Sequence, residues 1–338
     1  MIDLLVAGGG PAGLATAILG AKAGLEVVVV ERRRGPVDKA CGEGLMPHTL
    51  ALLAGLGVDP PGKSFHGITY LDGRHRVTGR FRGGAGRGVR RTALHSGLLD
   101  AATAAGVRIE HSDVGPVTQN ATSVQCSGFH ARYLAAADGL HSPVRAALGL
   151  ARPDHGPRRW GIRRHHLMAP WSDCIEVYWS DDAEAYVTPV ADDCVGVAIL
   201  TSRKGGFDAH LDEFPALQER VRGCAHDPDR AAGPLRQRVR GRTAGRVLLV
   251  GDAAGYVDAL TGEGLGIAFG AAELMVECVT ADRPQDYDRR WRRMSRRYRL
   301  LTAAVLQASA IRPLRTRIVP AAARFPGVFS GVVNQLAE

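Results

Sequence analysis

A cluster of glycines near the start of the chain has the spacing of a phosphate-binding turn. Gly8, Gly10 and Gly13, in the segment AGGGPAG, form a GxGxxG pattern between an apolar run at 2–7 and a helical pattern at 14–23. Such glycines let the backbone approach a pyrophosphate, and the following helix N-terminus attracts its charge. Glu31 ends the next β-branched run, where its carboxylate can bind ribose hydroxyls. This unit predicts a dinucleotide site but does not distinguish FAD from NAD.

A second segment, VGDAAGYVDALTGEGLGIA at 250–268, favours the flavin nucleotide. Asp252 follows a short buried strand pattern and suits a ribityl hydroxyl. The backbone amides of 262–265 precede a long helical pattern and suit the flavin ring. The positive end of that helix would stabilise the anionic reduced ring.

Three ordered motifs resemble the para-hydroxybenzoate hydroxylase superfamily of FAD enzymes, most closely its geranylgeranyl reductase-like branch. They are GGGPAG with Glu31, ADGLHSPVR at 137–145 and GDAAGYVDALTGEG at 251–264. The resemblance implies FAD as cofactor, NAD(P)H as reductant, Arg91 of RTALHSGL near the FAD phosphates, and Asp138 beside one of the nucleotides. Ser142 before Pro143 also suits a helix N-cap. The predicted cofactor-binding residues are Gly8, Gly10, Pro11, Ala12, Gly13, Glu31, Arg32, Arg33, Cys41, Gly42, Arg91, Asp138, Gly251, Asp252, Gly262, Glu263, Gly264 and Leu265.

The segment CGEGLMP at 41–47 resembles a loop that passes beside the flavin in geranylgeranyl reductases, where a cysteine is linked to double-bond reduction. Cys41 and Glu43 are therefore the predicted catalytic residues. Two alternatives stay open: Cys41 as a buried structural thiol, and Glu43 as either a proton donor or a charge tied to an arginine. The YxWxFP signature of those reductases is reduced to Tyr186-Val-Thr-Pro189, and the WxWxIP signature of flavin halogenases is absent.

These features favour a flavoprotein monooxygenase. In that reaction NAD(P)H reduces FAD, molecular oxygen forms a C(4a)-hydroperoxide, and a phenolic, polyketide-like or other apolar small molecule is hydroxylated. The alternative is a geranylgeranyl reductase-like enzyme that reduces isoprenoid double bonds, with Cys41 or Glu43 as the acid. A third hypothesis is a non-catalytic flavoprotein, which the complete flavin-side motifs oppose.

The order of patterns predicts an α/β protein: a Rossmann-like FAD-binding domain with a βαβ N-terminus, an inserted antiparallel substrate sheet and C-terminal helices. We assign 1–65, 88–150 and 234–280 to the FAD-binding domain, 66–87 and 151–233 to the substrate-binding sheet, and 281–338 to the helical segment. Three or four strand patterns between 158 and 200 form the main part of the substrate sheet.

Candidate substrate contacts lie in that sheet: His165, Trp179, Tyr186 and Pro189. His165 and His166 are neighbours on one strand, so they should face opposite sides and cannot chelate one metal together. The six cysteines show no CxxC pair and no histidine partner at metal-ligand spacing. We therefore predict neither a metal site nor a disulfide framework.

The formal net charge of +9 comes almost entirely from arginine, with only four lysines in the chain. Most arginines are scattered, so we predict no nucleic-acid partner. The exception is 289–299 (RRWRRMSRRYR), where Trp291, Met294 and Tyr298 recur at helical spacing. This basic amphipathic helix either packs its apolar stripe inward or makes a peripheral membrane or protein contact. The apolar N-terminus lacks a basic leading region, which predicts a cytoplasmic enzyme.

Overall fold

The structure is a computed structural model that describes residues 1–154, 156 and 158–337. Its strands are β1 (Ile2–Ala7), β2 (Val27–Val30), β3 (Gly44–Leu45), β4 (Lys63–Phe65), β5 (Gly67–Leu71), β6 (Arg76–Arg80), β7 (Gly86–Gly88), β8 (Arg108–Glu110), β9 (Thr118–Gln119), β10 (Val124–Cys126), β11 (Phe129–Ala136), β12 (Ala151–Arg152), β13 (Trp160–His166), β14 (Ile175–Trp179), β15 (Ala183–Ala191), β16 (Cys194–Thr201), β17 (Arg230–Ala232), β18 (Arg238–Val239), β19 (Thr243–Ala244) and β20 (Val247–Leu249).

The helices are α1 (Pro11–Lys22), α2 (Pro47–Leu56), α3 (Arg91–Ala104), α4 (Pro143–Ala147), α5 (Phe207–Leu211), α6 (Pro215–Val221), α7 (Gly264–Thr280), α8 (Tyr287–Met294), α9 (Arg296–Ala310), α10 (Arg312–Arg315), α11 (Ile318–Arg324) and α12 (Pro326–Ala337). Two 3-10 turns, Gly251–Ala254 and Pro284–Asp286, complete the pattern.

The nucleotide-binding part is built on a sheet with the order β19-β20-β11-β1-β2-β8. Strand β1 pairs in parallel with both β2 and β11, and β11 pairs in parallel with β20. The four consecutive valines of β2 are buried, as expected for a strand covered on both faces. Helices α1, α3 and α7 add Leu14, Leu98 and Met275 to the same core. The predicted Rossmann-like α/β fold is confirmed.

The second sheet has seven strands in the order β17-β13-β16-β15-β14-β5-β6. Three or four strands were predicted between 158 and 200; the structure has four, β13 to β16, and they pair in antiparallel fashion. The predicted antiparallel substrate sheet is confirmed, and it contains one parallel pair, which β14 forms with β5. The chain leaves β5 through the β6 hairpin and returns to the sheet much later, so the two strands need not run in opposite directions.

The C-terminal helices cover one part of this second sheet. Val319, Phe329 and Val333 share an apolar core with Ile175 and Val177 of β14. Asn334 fastens α12 to the β6 edge, because its side chain accepts from the Arg82 amide at 2.7 Å and donates to the Arg80 carbonyl at 2.9 Å. Helices α11 and α12 therefore pack with the substrate sheet, whereas Tyr287 and Trp291 of α8 belong to the nucleotide-binding core. Our division of the chain into three parts remains a prediction.

The predicted basic helix is two helices, α8 and α9, which meet at Ser295. The Ser295 hydroxyl donates to the Trp291 carbonyl at 2.9 Å and is fully buried. Trp291 is buried as well, with the Arg242 guanidinium 3.4 Å above its ring. The apolar stripe thus packs inward, and a membrane or protein contact through this segment remains a prediction. None of the helices in the described ranges is both long and apolar enough to cross a membrane.

Candidate FAD site and the charged network beside it

The glycine turn between β1 and α1 has no room for a side chain at Gly13. A Cβ atom on Gly13 would lie 1.9 Å from the Gly8 carbonyl oxygen, and Gly8 itself has a φ of +101°. Helix α1 begins at Pro11, three residues earlier than predicted, and Gly10 provides no side-chain cap. The first amides of α1 therefore remain available to a phosphate.

Glu31 holds this turn from the next strand. Its carboxylate accepts from the Gly9 amide at 2.9 Å and from Arg33 Nε at 2.8 Å. Burial opposes ionisation, but the bonds from Arg33 and the Gly9 amide outweigh it and lower the pKa of Glu31 to about 2. Arg33 is therefore tied to Glu31, whereas Arg32 is exposed.

Glu31 should make the folded protein sensitive to acid. Because its folded pKa is depressed, its contribution is present above the ordinary value of 4.5 and is lost as the pH falls toward about 2. We expect urea unfolding to show that the free energy of unfolding is larger for the wild type than for Glu31→Gln above pH 4.5. This difference should shrink as the pH falls toward about 2. An advantage that stays constant from pH 5 to about pH 2 would contradict this role.

Arg91 and His95 lie one helical turn apart at the start of α3, and both are buried. The Val37 amide can only donate, so His95 Nδ1 accepts from it at 3.3 Å and Nε2 donates to the Gly9 carbonyl at 2.7 Å. Burial lowers the pKa of His95 and keeps this ring neutral. Arg91 Nη1 is buried without a hydrogen-bond partner among the described residues. A buried, unsatisfied guanidinium fits an anionic cofactor phosphate.

The DGLHSPVR segment positions the turn at 251–254. The Ser142 hydroxyl caps α4 by accepting from the Arg145 amide at 2.9 Å, while Asp138 Oδ2 accepts from the Val144 amide at 3.0 Å. Arg145 donates to the carbonyls of Asp252 and Ala253. Asp138 Oδ1 is left buried and unpartnered within the described chain. The predicted N-cap is confirmed, and one Asp138 oxygen stays free for a ligand.

Asp252 lines a recess, called the cleft below, together with Gly251 and Gly264. Solvent reaches the Asp252 side chain. The surrounding protein nevertheless desolvates its carboxyl group and raises its pKa. The nearby cations of Lys39, Arg91 and Arg145 oppose this shift but do not cancel it. Helix α7 begins next to it at Gly264, again without a side-chain cap. Glu263 is buried and lies 3.2 Å from His48 Nε2. Free helix amides and an accessible carboxylate in one cleft fit the ring and ribityl chain of a flavin.

The loop at 41–43 lies between this cleft and the substrate sheet. The Glu43 amide donates to Cys41 Sγ at 3.4 Å, and the Thr188 hydroxyl of β15 donates to the Gly42 carbonyl at 2.8 Å. Cys41 is half-buried. Burial, followed by the Glu43 charge, raises the pKa of its thiol, so Cys41 remains protonated at neutral pH.

Glu43 is tied to a histidine and a backbone amide rather than to an arginine side chain. Its Oε1 accepts from the Arg91 amide at 2.8 Å, and its Oε2 lies 2.6 Å from His165 Nε2. His165 Nδ1 lies 2.6 Å from Asp227 Oδ2. Glu43 adopts a φ of +60°, which is rare for a residue other than glycine. The loop and strand β13 are therefore joined through a carboxylate–histidine–carboxylate chain, in which Glu43 and His165 are buried and Asp227 is partly exposed.

Three of the four predicted substrate residues share one face of the second sheet. Residues that lie directly opposite one another on neighbouring strands point to the same face of a sheet. Trp179 lies opposite Glu184. Thr188 lies opposite Gly196, which in turn lies opposite His165. Tyr186, two residues before Thr188, shares that face and donates to the Leu260 carbonyl at 2.9 Å. Pro189 follows Thr188 and belongs to the other face. The side chain of His166 points to the other face of the sheet from His165, as predicted, and lies beside Phe207.

A cluster of buried charged residues lies next to Trp179. Glu184 is fully buried and pairs with Arg159 and with Arg315 Nη1, the latter at 2.7 Å. Arg159 Nη1 also lies 3.1 Å from Asp258 of the flavin-side segment. This cluster fastens the substrate sheet to the 251–264 loop and to α10. Sequence reasoning missed it because its members are far apart along the chain.

Comparison with known proteins identifies the family of the chain. Residues 1–210 match the FAD binding domain family, and the chain belongs to that family. It is an FAD-dependent oxidoreductase, as the resemblance predicted.

Among curated relatives, the chain is 27% identical over 333 residues to the menaquinone reductase of Mycolicibacterium smegmatis, covering 86% of this chain and 79% of that protein. It is 28% identical to digeranylgeranylglycerophospholipid reductase 1 of Methanothermobacter thermautotrophicus, covering 85% and 81%. Among solved structures, a flavin-dependent brominase superposes with a TM-score of 0.83 at 15% identity, over 99% of this chain and 93% of that one. The structural likeness concerns the fold.

Proposed function

We propose that the protein is an FAD-dependent reductase of carbon–carbon double bonds in an isoprenoid chain, with NAD(P)H as reductant. The observation that carries this proposal is that the Cys41 thiol and the Asp252 carboxylate are both close enough to the Arg91 guanidinium to act on its charge. Burial keeps that thiol protonated, which suits an acid and not a nucleophile. The names of the two reductase relatives support an isoprenoid quinone or lipid as substrate.

Different residues would bind the cofactor, donate a proton and contact the substrate in this reaction. FAD, when bound, supplies a hydride to one carbon of the double bond. The amides of α1, Glu31 and Arg91 would hold the nucleotide half, and Asp252 with the start of α7 would hold the flavin half. Cys41 would protonate the second carbon from Sγ. Tyr186 and Tyr256, both half-buried, would offer apolar ring surface to the chain of the substrate.

The test is an anaerobic assay with NADPH and three prenylated compounds: menaquinone, geranylgeranyl diphosphate and a geranylgeranylated glycerophospholipid. We expect one product to carry two additional hydrogens by mass spectrometry. Cys41→Ser should lower this turnover about 100-fold or more, because serine is a much weaker acid, while reduction of the flavin by NADPH continues. Cys224→Ser is the matched control, since Cys224 lies near Met168 and away from the cleft.

A monooxygenase is the second candidate, and the half-buried rings of Tyr186 and Tyr256 favour it as walls for a flat aromatic ring. In that case the prenylated compounds would stay unchanged without oxygen. A phenolic compound would instead gain one oxygen atom in air, and Cys41→Ser would retain most of the activity. This outcome would overturn the reductase proposal.

A further inference from the structure

We propose that the outer faces of the C-terminal helices bind the surface of an anionic lipid bilayer. The binding surface, called the outer row below, consists of Ile311, Leu314, Arg317, Ala321, Phe325 and Val328. Its existence is argued from its own geometry and charge. Its purpose, which is to bring the enzyme to an isoprenoid substrate in a membrane, rests on the proposed function.

Backbone hydrogen bonds join the members of the outer row one turn at a time. From Leu314 to Val328, the amide of each member donates to the carbonyl of the member before it, at 2.8 to 3.0 Å. Residues three or four positions apart in helical turns lie on the same face. All six residues are exposed, so the row is a continuous strip on the outside of α10, α11 and the start of α12.

The inner faces of the same helices are already buried. Val319 and Phe329 pack into the apolar core of the substrate sheet. Arg315, between Leu314 and the rest of the row, points inward and pairs with Glu184. The outer row therefore does not contribute to the core, and its apolar side chains can leave water only by contact with another molecule.

Helix α9 shows the same arrangement before the row begins. Its buried residues are Thr302 and Ser309, and the Thr302 hydroxyl lies 2.9 Å from that of Thr261. Leu300 is exposed instead and precedes Ile311 by about three helical turns, through the exposed positions 304 and 307. Hydroxyl groups thus point inward while leucine points to solvent, which is the reverse of an ordinary surface helix.

Exposed apolar side chains are concentrated in this segment. Of the seven large apolar side chains that are exposed in the described parts of the chain, five lie between 300 and 328: Leu300, Ile311, Leu314, Phe325 and Val328. Phe325 and Val328 are 58% and 67% exposed. A single exposed apolar residue needs no explanation, but such a concentration is typical of a surface that binds a partner or a membrane.

The charge of the segment selects an anionic occupant. Residues 296–337 contain seven arginines and no lysine, aspartate or glutamate, while the whole chain has a net charge of +9. Arg312 and Arg315 pair with Asp181 and Glu184. Within the described ranges the other five have no carboxylate partner: Arg296, Arg297, Arg299, Arg317 and Arg324.

An anionic bilayer matches both properties of the surface. Its phosphate groups attract the free guanidinium groups, and its acyl boundary accepts the apolar side chains of the row. Arginine suits this position, because its long side chain can reach a phosphate while its neighbours enter the lipid. A second copy of the chain would instead place the same cations opposite one another.

The outer row lies one helix layer away from the proposed substrate surface. Val319 and Phe329, on the inner side of that layer, belong to the core against which Tyr186 and Tyr256 pack. Binding through the row would therefore hold the substrate sheet close to the membrane, where an isoprenoid lipid is concentrated.

Vesicle binding tests the proposal without turnover. The holoenzyme should sediment with vesicles of phosphatidylglycerol and phosphatidylcholine, and added salt should weaken this binding. Binding to phosphatidylcholine alone should be about tenfold weaker or less. Phe325→Ser combined with Val328→Ser should lower binding to the anionic vesicles about tenfold or more, because two apolar side chains no longer enter the lipid. Arg317→Gln combined with Arg324→Gln should cause a similar loss on anionic vesicles only.

Leu167→Ser is the matched control. Leu167 is also an exposed apolar residue, but it follows β13 beside Met168, which packs against the other core of the substrate sheet. This variant should bind vesicles like the wild type, and flavin absorbance should show that every variant retains FAD. Equal vesicle binding by the wild type and the Phe325/Val328 double variant would overturn the proposal. A dimer in solution that the same double substitution dissociates would assign the row to a second copy, and would also overturn it.

Turnover separates this surface from the proposed function. With menaquinone in anionic vesicles, the Phe325/Val328 double variant should raise KM about tenfold and keep kcat, whereas in detergent it should match the wild type. If the wild type binds vesicles but reduces no prenylated compound, the proposed function fails and the surface stands. If it reduces menaquinone in detergent but binds no anionic vesicle, the surface is wrong and the function stands.

Discussion

Gly13→Ala is expected to abolish stable FAD binding. The new methyl group would lie 1.9 Å from the Gly8 carbonyl oxygen, which is backbone and cannot rotate away. Overpacking costs about 1–3 kcal/mol where side chains can adjust, equivalent to roughly tenfold to 100-fold in a binding constant. Here the cost should reach or exceed the upper end, because α1 must separate from β1. Flavin absorbance retained after gel filtration and the FAD Kd measure the effect.

The matched control is Gly55→Ala in α2. Gly55 is exposed, lies inside a helix and has open space around its missing Cβ. Alanine there should raise stability by about 0.5–1 kcal/mol and leave FAD binding unchanged. If Gly13→Ala retained flavin as Gly55→Ala does, the glycine turn would not be the tight nucleotide-binding turn described here.

The second large effect is expected on stability, from Glu184→Ala. Removing this carboxylate leaves Arg159 and Arg315 buried beside each other, with Asp258 as the remaining acidic partner of Arg159. Loss of one member of a buried ion pair costs about 3–5 kcal/mol, because an uncompensated charge remains in the interior. Urea unfolding should show this loss. The substrate sheet should also loosen against the 251–264 segment, so flavin fluorescence should change.

Asp181→Ala provides the comparison. Asp181 pairs with Arg312 on the same side of the molecule, but both side chains are largely exposed, at 57% and 76%. An exposed ion pair contributes about 0–1 kcal/mol. Similar losses for the two variants would mean that the Glu184 cluster is not the buried junction that the structure describes.

The sequence predicted the nucleotide-binding fold because its signals are local. The run at 2–7, the glycines and the acid at position 31 lie within one βαβ unit, where hydrophobic period and turn chemistry decide the structure. The boundary of α1 was wrong by three residues because Pro11 occupies the first helical position rather than the turn. The break at Ser295 was missed because the apolar stripe continues across it.

The resemblance to a known family supplied FAD, the loop at 41–47 and the class of oxidoreductase. It identified Cys41 and Glu43 as neighbours in the chain, but it left open whether Glu43 is an acid or the partner of an arginine. Neither His95 nor Asp227 was predicted. The neutral His95 ring has no local pattern, and Asp227 lies in a polar loop that resembles many others.

By itself the sequence determined the elements and motifs whose residues are close in the chain: the glycine turn with Glu31, the DG and GD segments, and the order of strands and helices. Only the tertiary structure decided which distant charges meet. It brought Glu43 from the loop at 41–43, His165 from β13 and Asp227 from beyond α6 into one chain of contacts. Such contacts depend on how two sheets pack across one cleft, and hydrophobic periodicity carries no information about that packing.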